Sequence, residues 1–316
     1  MASALSAERK LEALFQALGD TILAALKDPD VVEILANPDG RLVLDVAGHG
    51  RRDCGVALSA EARERAIRLV ADHVGESADR DRPRLAGVLP DGERFQAVLP
   101  PVAPAPAFAI RKPARTVWTL TDYVRQGVLD EHQAGVLRAA VQMRRNLLIC
   151  GGAGSGKTTL ANAILAEPAF AADRLILIED TPELRSTAWD ALSLLTRRTP
   201  PVGMADLIRD ALRLRPDRIV IGEIRDGAAA LETLKAWNTG HPGGLSTLHA
   251  NSAVEALDRL EDLLLETMPT VPARLIDRAI DLVVFVERTD RGRKVSEIWD
   301  VDLDQGAAKS PSHQKR

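Results

Sequence analysis

Apolar residues recur at helical spacing near the start of the chain, and a stretch in which apolar and polar residues alternate follows. Between positions 11 and 26 they occur every three or four residues, which predicts an amphipathic helix. The stretch RLVLDV (41–46) alternates apolar and polar residues after an NPDG turn, which predicts a strand. A helix over 60–74, a hairpin over 84–100 and a strand over 107–112 complete a small α+β domain.

The remaining sequence changes to short apolar runs that alternate with helical patterns. A long helix is predicted over 122–145, directly before the apolar run NLLIC (146–150). Further strands are expected at 174–180, 218–223 and 245–250, separated by helices at 203–215, 226–239 and 252–266. A hairpin formed by 281–288 and 294–303 ends the pattern. Strands that alternate with helices form a mostly parallel sheet, so this part is predicted to be an α/β domain.

The domain boundaries follow from these changes in pattern. A length of 316 residues accommodates two domains, each with its own core. We predict an N-terminal α+β domain over 1–112, a linker over 113–122 and an α/β domain over 123–303. The tail over 304–316 shows no periodicity and is predicted to be disordered.

Composition and charge exclude several classes of protein. The two cysteines, Cys54 and Cys150, lie far apart, which argues against a zinc module or a disulfide framework and fits a reducing compartment. The longest uncharged run, residues 95–110, contains four prolines and is too short to span a bilayer. We therefore expect a cytoplasmic protein. Peripheral association of this protein with the inner membrane is compatible with the sequence. The net charge of −4 and 3% aromatic content do not favour sequence-specific nucleic-acid binding.

A phosphate-binding pattern lies between a predicted strand and a predicted helix. The stretch GGAGSGKTT (151–159) fits G-x-x-x-x-G-K-[ST]. In such a loop the backbone N–H groups converge on phosphate oxygens, and the helix N-terminus adds partial positive charge. Lys157 is expected to reach the β- and γ-phosphates, and the Thr158 hydroxyl is expected to coordinate Mg²⁺. The predicted nucleotide-binding residues of the loop are Gly151, Gly152, Ala153, Gly154, Ser155, Gly156, Lys157, Thr158 and Thr159.

Acidic residues follow two of the predicted parallel strands, at the edge where the phosphate loop lies. Glu179 ends one of these strands, with Asp180 and Glu183 close behind it. Glu223 ends the other, and Arg225 follows it. A carboxylate at either position is able to polarise a water molecule for attack on the γ-phosphate. The sequence leaves open which of Glu179 and Glu223 is the main water-activating acid.

Two histidines, His241 and His249, bracket a short apolar strand. Metal binding is disfavoured because no cysteine accompanies them and no third ligand is evident. His249 ends its strand at the level of Glu223. It is therefore expected to sense the γ-phosphate or to form a hydrogen bond with that acid.

Four motifs together resemble a known family. GGAGSGKTT, LILIEDTPEL, RPDRIVIGEIRD and TGHPGGLSTLHANS are similar, in order and spacing, to the Walker A motif, Asp box, Walker B motif and His box of the ATPases of type II secretion, type IV secretion and type IV pili. The segments DPDVVEILANPDGRLVLD and GERFQAVLPPVAPAPAFAIRKP resemble the N-terminal domain of the conjugative branch, of the TrbB type. The type II branch usually carries a tetracysteine zinc module, which two cysteines cannot provide.

The resemblance implies a RecA-like P-loop NTPase fold, a homo-hexameric ring, and ATP and Mg²⁺ as ligands. It implies catalytic roles for Lys157, Glu179, Glu223 and His249, and a nucleotide-binding role for His241. Arg94 and Arg111 match N-terminal-domain arginines that approach the phosphates in this family. Thr158 matches the Mg²⁺ ligand, and Glu223 would reach the metal directly or through water.

The resulting hypothesis is a hexameric cytoplasmic ATPase of a conjugative type IV secretion system. It would power pilus assembly or substrate transfer, with inner-membrane components of the system as partners. The alternatives are a type II secretion or type IV pilus motor, a nucleic-acid-translocating ring motor, and a nucleotide-gated interaction hub. Turnover and its stimulation by partners or DNA would discriminate between them.

Overall fold

The structure is a computed structural model, and it divides the chain into two compact units between residues 115 and 116. It describes residues 2–113, 117–197, 200–272, 274–290 and 292–301. The predicted tail over 304–316 lies outside the described residues, as do the last two residues of the predicted C-terminal strand.

The first unit is an antiparallel sheet packed against two helices. The helices are α1 (Ala2–Lys27), which bends at Gly19, and α2 (Ala60–His73). The strands are β1 (Val31–Ala36), β2 (Arg41–Val46), β3 (Gly50–Ala57), β4 (Arg84–Val88), β5 (Arg94–Val98) and β6 (Ala107–Arg111). They form one sheet in the order β3-β2-β1-β6-β5-β4. The predicted α+β class of this unit is confirmed.

One face of this sheet forms the core of the first unit. Leu14 and Ile22 of α1 and Ile67 of α2 pack against Ile34 and Phe108 of the strands, and all five are buried. The helical spacing of α1 and the alternation of β2 place apolar side chains on these facing surfaces. The predicted helices and the hairpin formed by β4 and β5 are confirmed.

The second unit is built on a seven-stranded sheet. Its helices are α3 (Leu120–Arg125), α4 (Glu131–Gln142), α5 (Lys157–Leu165), α6 (Pro168–Ala171), α7 (Met204–Ala211), α8 (Gly227–Asn238), α9 (Ala253–Leu265) and α10 (Leu275–Ala279). Its strands are β7 (Leu147–Cys150), β8 (Leu175–Glu179), β9 (Ala191–Leu195), β10 (Arg218–Ile221), β11 (Leu245–Leu248), β12 (Leu282–Thr289) and β13 (Gly292–Asp300). The order is β13-β12-β7-β11-β10-β8-β9, and only β13 pairs antiparallel. The predicted α/β domain with a mostly parallel sheet is confirmed.

Helices cover both faces of this sheet, which explains the apolar runs of its strands. In β7, Leu147 and Ile149 join the core formed with α3–α6, whereas Leu148 and Cys150 join the core formed with α7–α10. A strand that is buried on both faces carries apolar residues at successive positions. The run NLLIC therefore marks a central strand.

The prediction of one helix over 122–145 is wrong. The structure contains α3 and α4, separated by Gly127, whose φ of 68° lies in the left-handed region. Asp130 then starts α4 with a capping box. Its carboxylate accepts a hydrogen bond from the Gln133 N–H, and its own N–H donates to the Gln133 side chain. The two signals together end one helix and begin the next.

The first helix of the second unit begins inside the stretch predicted as linker, 113–122. Leu120, the first residue of α3, is fully buried in the core of the second unit. Thr119 caps this helix through a reciprocal pair of hydrogen bonds with Asp122. Ordered packing in the second unit therefore starts before residue 122.

Candidate active site

The phosphate loop connects the end of β7 to the start of α5. Gly156 is the N-cap of α5, with a φ of 103° that L-residues rarely adopt. A Cβ atom at Gly151 would lie 2.1 Å from the carbonyl oxygen of Val286, and one at Gly156 would lie 2.8 Å from Cδ of Arg293. Glycine is therefore required at both ends of the loop. Arg293, at the start of β13, is a cation beside the loop that the sequence pattern did not single out.

The Lys157 ammonium is folded back onto the loop. Its Nζ atom donates hydrogen bonds to the carbonyl oxygens of Gly151 and Gly152, each at 2.9 Å. Lys157 is 7% exposed, and this burial lowers the pKa of its ammonium group. The positive charge is thus held next to the loop where a triphosphate would bind.

Hydroxyl groups of the loop lie at the helix N-terminus. Ser155 is buried, and its Oγ atom has no hydrogen-bond partner within the described part of the chain. Buried polar atoms are normally paired, so this one suits a phosphate oxygen or a water molecule. Thr158 and Thr159 are half-buried in the first turn of α5.

Glu223 and His249 meet at the carboxyl edge of the sheet. Glu223 follows β10, and His249 directly follows β11. The Nε2 atom of His249 lies 2.8 Å from Oε1 of Glu223, and its Nδ1 atom lies 3.3 Å from Nζ of Lys157. A histidine protonated at Nε2 donates to Glu223 and accepts from Lys157. The structure therefore brings three of the predicted catalytic residues into one hydrogen-bonded row.

Glu179, the fourth predicted catalytic residue, is the last residue of β8 and is 3% exposed. Its Oε1 atom accepts hydrogen bonds from the backbone N–H groups of Glu183 at 2.9 Å and Leu184 at 2.8 Å. Burial raises the pKa of the Glu179 carboxyl to about 7. Gly222 makes room for it, since a Cβ there would lie 3.0 Å from Cγ of Glu179.

Arg225 joins the ends of two neighbouring strands. Its Nε atom donates to Oε2 of Glu223 at 2.6 Å, and its Nη1 atom donates to Oδ2 of Asp180 at 2.9 Å. Asp180 follows β8 and also accepts from the Thr196 hydroxyl at 2.8 Å. The sequence places Arg225 close behind Glu223 but gives no sign of its second partner.

His241 does not share this edge of the sheet. It precedes the amino end of β11, whereas the phosphate loop follows the carboxyl end of the parallel strand β7. The adjacent Gly243 and Gly244 donate their N–H groups to Oδ1 of Asn146, which precedes β7, at 2.8 and 2.9 Å. Within one chain, His241 therefore lies at the opposite edge from Lys157.

Arg94 and Arg111, predicted to approach the phosphates, lie together in the first unit. They are in register on the neighbouring strands β5 and β6, and Glu33 of β1 is in register with Arg111 on the other side. Residues in register have side chains on the same face of the sheet. The structure thus places the two arginines side by side.

A parallel sheet that carries a glycine-rich loop, a buried lysine and strand-end carboxylates at its carboxyl edge defines a P-loop nucleoside triphosphatase. Among the helices that the structure describes, we find no apolar segment of the length that a membrane crossing needs. The sequence signature described as "Type II/IV secretion system protein" matches residues 76–305. The chain belongs to that family and is an ATPase.

Individual relatives agree with the family. The chain is 48% identical to the conjugal transfer protein TrbB of Rhizobium radiobacter over 297 residues, which covers 93% of this chain and 91% of that protein. It is 31% identical to the type IV secretion system protein VirB11 of Brucella suis, over 87% of this chain and 86% of that protein.

Solved structures show the same architecture. The VirB11 ATPase of the Brucella suis type IV secretion system, in complex with sulphate, has 30% identity and a TM-score of 0.50, covering 96% of this chain and 98% of that one. The pilus retraction motor PilT with bound ADP has 18% identity and a TM-score of 0.65, covering 91% of this chain and 85% of that one. The PilT likeness is one of fold.

Proposed function

We propose that the protein is a hexameric cytoplasmic ATPase that powers pilus assembly or substrate transfer in a conjugative type IV secretion system. The observation that carries this proposal is the 48% identity to a conjugal transfer protein along 93% of the chain. The proposed partners are further copies of this chain and inner-membrane components of the secretion system, which it would contact peripherally. We expect no sequence-specific binding to nucleic acid, because the chain has a net charge of −4 and 3% aromatic residues.

In the proposed reaction, the loop and Lys157 hold the β- and γ-phosphates of ATP. The Lys157 ammonium would exchange the carbonyl oxygens of Gly151 and Gly152 for phosphate oxygens. Because this ammonium is buried, its attraction for a phosphate is weakly screened by solvent. Glu223 would orient the attacking water, and His249 would hold the Glu223 carboxylate in place.

Mg²⁺ is the proposed metal. The Thr158 hydroxyl and the Glu223 carboxylate are hard oxygen donors, which Mg²⁺ prefers, and most of its remaining positions are usually filled by water and phosphate oxygens. When bound, Mg²⁺ neutralises charge on the β- and γ-phosphates. Thr158 would be its direct ligand, and Glu223 would reach it directly or through water.

Glu179 and the two N-terminal arginines complete the proposed catalytic set. A carboxyl with a pKa of about 7 is suited to proton transfer near neutral pH, so Glu179 is the second proposed acid. Arg94 and Arg111 would add positive charge to the equatorial oxygens of the transferring phosphoryl group. His241 is proposed to contact nucleotide, and its place at the opposite edge would require that nucleotide to belong to a neighbouring subunit.

The first test combines turnover, particle mass and plasmid transfer. Lys157→Ala should abolish phosphate release, whereas Lys235→Ala, which changes a half-exposed lysine on α8, should not. Light scattering of the wild type with ATP and Mg²⁺ should give the mass of six subunits. A conjugative donor strain that lacks the gene for this protein should recover plasmid transfer with the wild type or with Lys235→Ala, but not with Lys157→Ala. Full turnover by Lys157→Ala would refute the site, and recovery of transfer by that variant would refute the role as a motor.

A further inference from the structure

A row of charged side chains crosses the carboxyl edge of the sheet, and Arg225 is at its centre. Its guanidinium contacts Glu223 after β10 and Asp180 after β8, which are neighbouring parallel strands. Asp180 is fixed in turn by the Thr196 hydroxyl, next to β9. The loops that follow three adjacent strands are therefore joined through two side chains, Arg225 and Asp180.

Both carboxylate oxygens of Glu223 are engaged. Oε1 accepts from His249 Nε2 at 2.8 Å, and Oε2 accepts from Arg225 Nε at 2.6 Å. Two donors on opposite oxygens fix the plane of a carboxylate. The planar guanidinium is suited to this task because its N–H groups point in fixed directions and can serve two carboxylates at once. Arg225 thus sets the orientation of the acid proposed to direct the attacking water.

We propose that Arg225 is a positioning residue for hydrolysis. It holds the Glu223 carboxylate against His249 and ties it to Asp180, so that the acid is oriented before ATP arrives. The inference rests on the proposed role of Glu223. Arg225 acts on the water-directing acid, whereas the phosphate loop and Lys157 act on the phosphates. Loss of Arg225 should therefore slow the chemical step and leave ATP binding in place.

Two substitutions test which property of Arg225 matters. Arg225→Ala removes both the positive charge and the N–H donors of the guanidinium, whereas Arg225→Lys keeps a positive charge but has no fixed pair of N–H donors. Arg209→Ala is the matched control. Arg209 has the same 51% side-chain exposure as Arg225 and also contacts two carboxylates, those of Asp206 and Glu232, on α7 and α8.

Steady-state phosphate release should separate kcat from KM. A small displacement of a reacting group costs up to about a hundredfold in rate, so we expect Arg225→Ala to lower kcat by about ten- to a hundredfold. KM for ATP should stay within about twofold of the wild type. Arg225→Lys should recover part of the lost kcat, and Arg209→Ala should retain the wild-type rate. Asp180→Ala should lower kcat in the wild type but have little further effect in the Arg225→Ala background.

Several results would overturn the inference. Unchanged or faster turnover by Arg225→Ala would show that the contact does not orient the acid, and a faster rate would mean that it restrains hydrolysis. A lower melting temperature together with a higher KM would assign Arg225 a structural role. Inactive wild type, or a fully active Glu223→Gln variant, would instead refute the proposed function of the site.

Discussion

Replacing Glu179 by glutamine should stabilise the second unit at alkaline pH while slowing ATP hydrolysis. The Glu179 carboxyl is 3% exposed, and burial raises its pKa from 4.5 to about 7. Glutamine keeps a side-chain oxygen for the N–H groups of Glu183 and Leu184, so the turn after β8 is retained. The substitution therefore removes a buried charge but not its structural contacts.

The sign and size of the effect follow from proton binding. Between pH 4.5 and about 7 the folded protein binds more protons at Glu179 than the unfolded chain does. The free energy of unfolding of the wild type therefore falls as pH rises through this range, and the loss is complete above about pH 7. A pKa difference of about 2.5 corresponds to about 3 kcal/mol. The advantage of Glu179→Gln over the wild type should grow by about 2.5 kcal/mol between pH 5 and pH 8.

Tryptophan fluorescence provides a selective assay. All four tryptophans belong to the second unit, so urea unfolding followed by their fluorescence reports on that unit alone. Glu261→Gln, which changes an exposed glutamate on α9, is the control. The difference in its free energy of unfolding from the wild type should be the same at pH 5 and pH 8. A stability difference between Glu179→Gln and the wild type that is the same at pH 5 and pH 8 would refute the argument from buried charge. Phosphate release at a rate equal to the wild type would remove Glu179 from the proposed catalytic set.

Two further predictions concern packing in the second unit, and urea unfolding followed by tryptophan fluorescence checks both. Gly244→Ala should cost about 3 kcal/mol, because a Cβ there would lie 2.0 Å from Nε1 of Trp237; an unchanged midpoint would contradict this close packing. Asp173→Ala should cost about 3–5 kcal/mol, because it leaves the Arg218 guanidinium, 2% exposed, without its carboxylate. Arg218→Met should cost less, because Asp173 keeps its ion pair with Arg144, and the opposite ranking would refute this explanation.

The edge of the sheet that carries the site was predictable from the sequence. Glu179, Glu223 and His249 each end an apolar run, and the carboxyl ends of parallel strands lie on one edge. His241 precedes its strand, so the same rule would have placed it on the opposite edge. The motif resemblance grouped the two histidines together, whereas strand direction separates them.

Strand β3 and the second partner of Arg225 have no clear signal in the sequence, whereas the break between α3 and α4 has one. The pattern GRRDCGVA of β3 contains no apolar alternation, because this strand lies at the sheet edge with most of its residues exposed. The break between α3 and α4 did have a signal, in Gly127 and in the pairing of Asp130 with Gln133. The second partner of Arg225 is 45 positions away in sequence and follows another strand, and only the order of strands in the sheet brings it close.

The hairpin formed by β12 and β13 has a consequence for the order in which the site forms. Strand β12 closes one side of β7, and the Val286 carbonyl oxygen lies against Gly151 at the start of the phosphate loop. During synthesis from the N-terminus, the phosphate loop is made long before β12, so one edge of β7 stays open until β12 has been made. A prematurely terminated chain that ends before β12 thus contains all four sequence motifs but lacks the strand that packs against the start of the phosphate loop. Such fragments are therefore expected to bind nucleotide more weakly than the chain that includes β12.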